Sequence, residues 1–317
     1  MRLAGDEQKC MATPFFSTII PVHNRPELVT SAIDSALAQR QADQEIIVVD
    51  DGSSDDTADI VSRRFNGKVR LLRQPNAGPG PARNTGIKAA IGTYVAFLDS
   101  DDCWFPWTLQ TYRHVAEQYR NPAFITGKHL LFRDERELSD VAETSPRVEA
   151  FDDYLASSDR WRWFGVSSFV VRRDVLLAAG GFANSRMNAE DADLAMRLGV
   201  SAGFVHVAEP PTFGYREHDG NVRRDLSRTL AGLQYQIDAE KSGKYPGGPA
   251  RRLERLRILG GHVRPVVFEL LRSGDRRAAW ALYRRTLAWH VRLGRVRYLL
   301  GFPATATFTG ANRAGSR

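Results

Sequence analysis

Asp99 and Asp101 stand two residues apart, where an apolar run ends in Asp99-Ser100-Asp101-Asp102. If the segment stays extended as it leaves a strand, both carboxylates face the same side. Two carboxylates, with water and phosphate oxygens completing the shell, suit a hard cation such as magnesium or manganese. Such a metal bridges a diphosphate, neutralises the departing group and orients it. A solvated acidic turn is the plainer reading of any Asp-x-Asp. The buried-looking strand before this one, and a second acidic strand end at Asp50-Asp51, favour the ligand reading. Asp51 could accept hydrogen bonds from a nucleobase imide and a ribose, whereas Asp50, Asp55 and Asp56 suit turns or helix caps. Arg83 lies near the start of a helix whose N-terminus already favours an anion, so it pairs either with a phosphate or with an aspartate.

A second acidic group, Glu190, Asp191 and Asp193, opens another helical stretch. Helix-start charge preference alone explains it. A carboxylate there is stabilised as an anion, which weakens it as a base. Trp161, Trp163 and Phe164 precede an apolar strand and would either stack on a sugar or fill core beneath a loop. Trp104 and Trp107 follow the Asp99–Asp101 stretch and are expected to pack behind it.

These groups need a frame that gathers them. The first hundred residues alternate apolar strands, expected over 18–22, 45–49, 68–72 and 93–98, with helical patterns. Helices are expected to start near Asn24-Arg25-Pro26, with Asn24 or Arg25 as cap, near 54–57, and around residue 83, the last ended by Gly92. This order reads as a parallel α/β sheet, in which ligands bind outside the carboxyl ends of the strands. A further strand is expected over 166–171. From about residue 225 the chain reads as helical and basic, with 243–249 as a break and a last helix from about Asp275. That helix carries one stripe of Trp280, Tyr283, Leu287 and Val291 and another of Leu282, Trp289 and Leu293; a frayed end is expected after Phe302.

The chain has 317 residues, 43% hydrophobic and 26% charged, with net charge +7, enough for one sizeable domain and an appendage. Arginine is concentrated in 251–297, a solvated face or an attachment to an anionic membrane surface. Two cysteines, Cys10 and Cys103, neither form a disulfide framework nor show zinc spacing, which points to a reducing, cytoplasmic setting. No apolar run reaches the roughly 18–20 residues that span a bilayer, and the N-terminus lacks the apolar stretch of a signal peptide. The expectation is a cytoplasmic protein, soluble or peripheral on the membrane face.

Four segments in order, Thr18-Ile19-Ile20-Pro21-Val22-His23-Asn24, Val48-Val49-Asp50-Asp51-Gly52-Ser53, Gly80-Pro81-Ala82-Arg83-Asn84-Thr85-Gly86 and Phe97-Leu98-Asp99-Ser100-Asp101-Asp102, resemble the family 2 inverting glycosyltransferases. The likeness continues through Gly180-Gly181-Phe182 and Ala189-Glu190-Asp191-Ala192-Asp193-Leu194 and fades after His218. It implies a GT-A fold over 12–225, with a basic α-helical region over 226–317. It implies a nucleotide-sugar donor, with uridine the expected base, held by Pro21, Val22, His23, Asn24, Asp51, Arg83, Asp99 and Ser100. It implies a divalent metal, Mn or Mg, on Asp99, Asp101 and His218, of which Asp101 is the surer ligand. Asp191 matches the catalytic base, which takes the acceptor hydroxyl proton as the metal stabilises the departing nucleoside diphosphate. Glu190 and Trp163 would meet the acceptor, a glycan, a lipid-linked sugar or a small molecule. Position 23 is often tyrosine in such proteins; histidine here still allows base stacking.

Two rival readings differ in cheap observables. A nucleotidyltransferase would show a glycine-rich, lysine-containing phosphate loop near the N-terminus, which the segment 21–26 lacks. A catalytically inactive basic module would bind membrane or nucleic acid in a salt-sensitive way without donor hydrolysis. The retained aspartates argue against it, and nucleic acid is not an expected partner.

Overall fold

The computed structural model describes residues 13–40, 43–160, 165–184, 188–218 and 225–314. Eleven strands are found among them: β1 (Phe16–Val22), β2 (Gln44–Asp50), β3 (Arg70–Arg73), β4 (Tyr94–Phe97), β5 (Cys103–Trp104), β6 (Phe124–Gly127), β7 (His129–Phe132), β8 (Arg147–Phe151), β9 (Val170–Arg172), β10 (Phe204–Glu209) and β11 (Phe213–Arg216). The helices of the first part are α1 (Pro26–Leu37), α2 (Thr57–Arg64), α3 (Pro79–Ala89), α4 (Thr108–Gln118), α5 (Arg136–Ser139), α6 (Arg173–Ala178) and α7 (Glu190–Leu198). The second part holds α8 (Leu226–Lys241), α9 (Arg252–Arg272), α10 (Arg276–Arg292) and α11 (Val296–Ala314).

The main sheet runs β3-β2-β1-β4-β9-β6-β10-β8, and a small sheet runs β5-β11-β7. All seven residues of β1 are buried, as a central strand covered on both faces requires. The expected parallel order holds for β3, β2, β1 and β4. Beyond β4 the sheet is mixed, because β9 inserts antiparallel between β4 and β6 and β8 closes the edge antiparallel to β10. The strand expected over 166–171 begins only at Val170, since Val166–Ser168 winds into a 3₁₀ turn. From β1 the chain winds outward through β2 and β3, then returns to place β4 on the other side. That reversal opens a crevice at the carboxyl ends of β1 and β4.

Local expectations change in three helices. Helix α3 starts at Pro79, whose fixed φ suits a first turn, and it ends before Gly92. Gly92 instead permits close approach: a Cβ there would lie 2.6 Å from the Ser17 amide nitrogen. In α10 the two apolar sets do not divide cleanly between core and surface. Leu282 and Trp289 of one set are buried, but so is Tyr283 of the other, while Leu287 and Val291 face outward, and α11 continues past Phe302 to Ala314.

The terminal helices share a core with the sheet. Leu233 and Ile237 of α8 and Leu256 and Leu259 of α9 belong to the same buried cluster as Phe97, Leu194 and Met196. Among the described residues, no helix is long and apolar enough to cross a membrane.

Candidate active site

The crevice is built from strand ends. Pro21 and Val22 are buried at the end of β1, so they offer a wall, whereas His23 is exposed beside it. Asn24 adopts a left-handed conformation (φ 51°), which asparagine tolerates better than most residues. Its amide donates to Ser53 Oγ at 2.9 Å and its Oδ1 accepts from the Ser54 amide at 2.8 Å, locking the turn after β1 to that after β2. Asp51 accepts from Gln74 Nε2 at 2.7 Å, the Ala77 amide at 2.9 Å and the Gly78 amide at 2.8 Å. A carboxylate has about four acceptor positions, so one remains for a ligand. Asp50 is committed inward, to the Ser53 amide and Arg73.

The Asp99–Asp102 segment turns instead of staying extended, as the Asp102 amide donates to the Asp99 carbonyl at 3.1 Å. Its carboxylates therefore have separate partners. Asp99 Oδ1 lies 2.6 Å from Arg83 Nη2, and Arg83 Nη1 lies 2.8 Å from Glu190 Oε1. Arg83 is itself buried and stacks 5.1 Å from the centre of the Phe182 ring. Burial opposes its charge, but Asp99 and Glu190 outweigh that and hold the guanidinium more firmly protonated than usual. Burial also raises the Asp99 carboxyl above its ordinary value, against the pull of Arg83, and Asp101 adds to the rise. Ser100 is buried between the two acids in sequence. Trp104 and Trp107 pack behind this segment, donating to the carbonyls of Ser167 and Pro211.

Asp101 points the other way. Its Oδ2 meets Arg25 Nη1 at 2.7 Å and His218 Nε2 at 3.0 Å. The small sheet enforces this approach: Gly214 of β11 pairs with Cys103 of β5, and Arg216 Nε donates to the Asp101 carbonyl at 2.9 Å. Asp102 is buried, accepting from Ser167 Oγ at 2.6 Å and the Arg216 amide at 3.1 Å. Burial, then Asp101 and Asp99, hold its carboxyl well above the usual range.

The acid pair Glu190-Asp191 opens α7. Ala189 before it is left-handed (φ 72°), an uncommon conformation for a residue with a side chain. Helix α8 holds that turn: Gln236 Nε2 donates to the Ala189 carbonyl at 3.1 Å, and Asn188 Nδ2 donates to Thr229 Oγ1 at 3.1 Å. Tyr245 braces the same helix by donating to Asp193 Oδ1 at 3.0 Å. The helix start suggests a weak base, yet the balance goes the other way. Burial and the neighbouring Glu190 charge lift the Asp191 carboxyl to about 7.

The structure thus joins Asp99, Arg83 and Glu190 in one ion-pair chain and places Asp101 against His218. Trp163 lies outside the described residues. The described residues contain no group of three or more acidic, histidine or cysteine side chains that could hold a metal. Asp101 and His218 nevertheless fit a hard cation that takes its other oxygens from a diphosphate and water. Arg25 on the same oxygen shows it oriented toward positive charge. Arg25 was expected only as a possible cap. The sequence signal against that role is a cation at the positive end of a helix, which is unfavourable unless it has another partner. Gln236 and Arg216 carry no comparable signal, because their partners lie 47 and 115 residues away in sequence.

The fold is of the GT-A type. S. aureus TarS (residues 1–349), solved in complex with UDP-GlcNAc, shares 19% identity at a TM-score of 0.63, covering 95% of this chain and 92% of that one. The mannosyltransferase PcManGT from Pyrobaculum calidifontis, solved with GDP-Man and Mn2+, gives a TM-score of 0.57 at 19% identity, over 95% and 85% of the two chains. In sequence, residues 17–164 match the family described as Glycosyl transferase family 2. YibD of Escherichia coli, described as an uncharacterized glycosyltransferase, is 30% identical over 237 residues, 71% of this chain and 68% of that protein. The chain belongs to glycosyl transferase family 2. The chain spans only 15% and 51% of two further curated relatives, uncharacterized glycosyltransferases of Rickettsia felis and Nostoc sp..

Proposed function

We propose that this protein transfers a sugar from a nucleoside diphosphate, UDP in the first instance, to an acceptor hydroxyl with inversion at the anomeric carbon. The supporting observation is the bridge from Asp99 through Arg83 to Glu190. It links the strand end suited to the diphosphate with the helix that carries a carboxylate near neutrality. TarS, which shares the fold, was solved with UDP-GlcNAc, and that motivates the choice of uridine.

In this reading His23 and Asp51 meet the nucleoside, with Pro21, Val22 and Asn24 shaping the wall. Arg83 and Ser100 lie toward the diphosphate. Asp101 and His218, with Asp99 nearby, hold a divalent cation, manganese or magnesium, which when bound offsets charge on the leaving group. Asp191 takes the proton from the attacking hydroxyl, and a carboxyl near 7 is well matched to that task. Glu190, held by Arg83, keeps the Asp191 carboxyl high and faces the acceptor. The acceptor is a glycan, lipid-linked sugar or small molecule, and the basic helices are a contact to an anionic membrane surface.

The test is calorimetric titration of UDP and GDP, with and without manganese, on wild type and Asp101→Ala. Metal-dependent UDP binding that disappears in the variant is the expected result. Absence of binding by either nucleotide to folded protein overturns the reading.

A further inference from the structure

Outside the donor crevice, a cavity of about 230 Å³ lies between the 157–160 segment, α9 and the turn joining α10 to α11. Four arginines, Arg160, Arg257, Arg264 and Arg295, line it against one carboxylate, Asp159. Asp159 pairs with Arg257 at 3.3 Å and is itself largely exposed. Arg295 Nη2 donates to the Arg257 carbonyl at 3.1 Å, while its Nη1 is buried without a partner. Helix α9 makes room for this group. A Cβ at Gly260 would lie 2.5 Å from Arg295 Nη1, although glycine in a helix interior costs about 1 kcal/mol relative to alanine. Gly260 thus lets the Arg295 guanidinium pack directly against the helix. Burial and the charges of Arg264 and Arg257 push the Arg295 guanidinium down to about 10, so the cluster is short of negative charge.

The cavity adjoins a second, open depression that shares Gly261 and Arg264 and is otherwise faced by Pro265, Phe268, Arg297 and Tyr298. Charge at one end and apolar surface at the other is the pattern of an amphiphile site. Guanidinium groups match phosphate oxygens in pairs, and the volume is below the roughly 300–1,000 Å³ usual for small-molecule pockets.

We propose that this cavity binds the phosphate or diphosphate group of an amphiphilic phosphoester, whose apolar part lies along Phe268 and Tyr298. The site shares no residue with the donor crevice and does not rest on the transfer reaction.

The probes are inorganic pyrophosphate, titrated calorimetrically in EDTA, and phosphatidylcholine vesicles with and without phosphatidic acid, scored by co-sedimentation. Wild type binds both anions saturably. Arg257→Ala and Arg264→Ala, both partly exposed positions, weaken pyrophosphate at least tenfold and lose the vesicles, while Arg284→Ala on the outer face of α10 does neither. Pyrophosphate should also raise the melting temperature of wild type and of Asp101→Ala, and of neither arginine variant. Binding lost in Asp101→Ala assigns the anion to the donor crevice and overturns the proposal. Arginine-dependent pyrophosphate binding without retention on phosphatidic acid vesicles overturns the amphiphile assignment, and no arginine-dependent binding overturns the site.

Discussion

Arg25 Nη1 lies 2.7 Å from Asp101 Oδ2, the same oxygen that His218 Nε2 meets at 3.0 Å. An arginine and a divalent cation would compete for this oxygen. Removing the guanidinium should therefore help metal bind in the absence of donor. Arg25→Gln is expected to tighten manganese binding by about tenfold, near 1.4 kcal/mol, measured by calorimetry on nucleotide-free protein. Unchanged or weaker binding would show that Arg25 and the metal do not share Asp101.

The Asp191 carboxyl sits at about 7, lifted by burial and then by Glu190. A base must be unprotonated, so kcat/KM should rise with pH to a plateau above 7 and fall about tenfold per unit below it. Glu190→Gln removes a charge that raises the carboxyl, so the acid limb should move to lower pH. A limb that stays in place would separate the pH dependence from Asp191. Asp191→Asn is expected to lower kcat by about 10²–10⁴.

The same shift has a stability consequence. A carboxyl raised in the fold binds more protons there than in the unfolded chain, so stability falls as pH climbs through the ordinary carboxylate range toward 7. Asp191→Asn should accordingly be more stable than wild type at pH 8, by about 1 kcal/mol once solvent screening of this half-buried group is allowed for. Urea unfolding at pH 5 and pH 8 measures this; a gain no larger at pH 8 than at pH 5 would contradict the raised value.

Arg83 is the shared partner of Asp99 and Glu190. Truncating it leaves two inward carboxylates uncompensated, which typically costs 3–5 kcal/mol for a buried pair. Arg83→Met is expected to lose about 3 kcal/mol in urea unfolding. Arg83→Lys retains the charge but cannot fork between the two acids, and should lose less stability while still impairing activity.

These expectations mark what the sequence reveals. Strand ends at Val22, Asp50 and Phe97 are legible because buried apolar runs stop at polar residues. Asp51 is legible as a strand-end carboxylate, but its hold on Gln74, Ala77 and Gly78 is not, since turn chemistry does not name its partners. Arg83 was open between phosphate and aspartate; the structure gives it Asp99 and Glu190. The antiparallel insertion of β9 leaves no periodic trace, because pairing distant in sequence is decided by topology. Gly92 shows the reverse hazard, a glycine near a helix end whose requirement comes from Ser17 on β1.

Gly232 offers a test of how far α8 governs the acid pair. A Cβ there would fall 1.8 Å from the Asn188 carbonyl oxygen, so Gly232→Ala must push the Asn188–Ala189 turn. Overpacking of this kind costs about 1–3 kcal/mol, and a shift near 1 Å at reacting groups can cost about 10²-fold in rate. The expected result is a fall in kcat of more than tenfold with donor KM within about twofold, since the residues proposed to hold the donor sit on other elements. Comparable losses in both would indicate general unfolding.

The pairing of β5 with β11 brings together the segments that carry Asp101, just before β5, and His218, just after β11. Each of these strands is short, two and four residues, and they are joined through Trp104 to Phe213 and Cys103 to Gly214. A brief local opening would thus dismantle both halves of the proposed cation site at once while the eight-stranded sheet stays intact. Amide protons of this small sheet should exchange as one group, earlier than those of β1, and a bound cation should slow that group before any other.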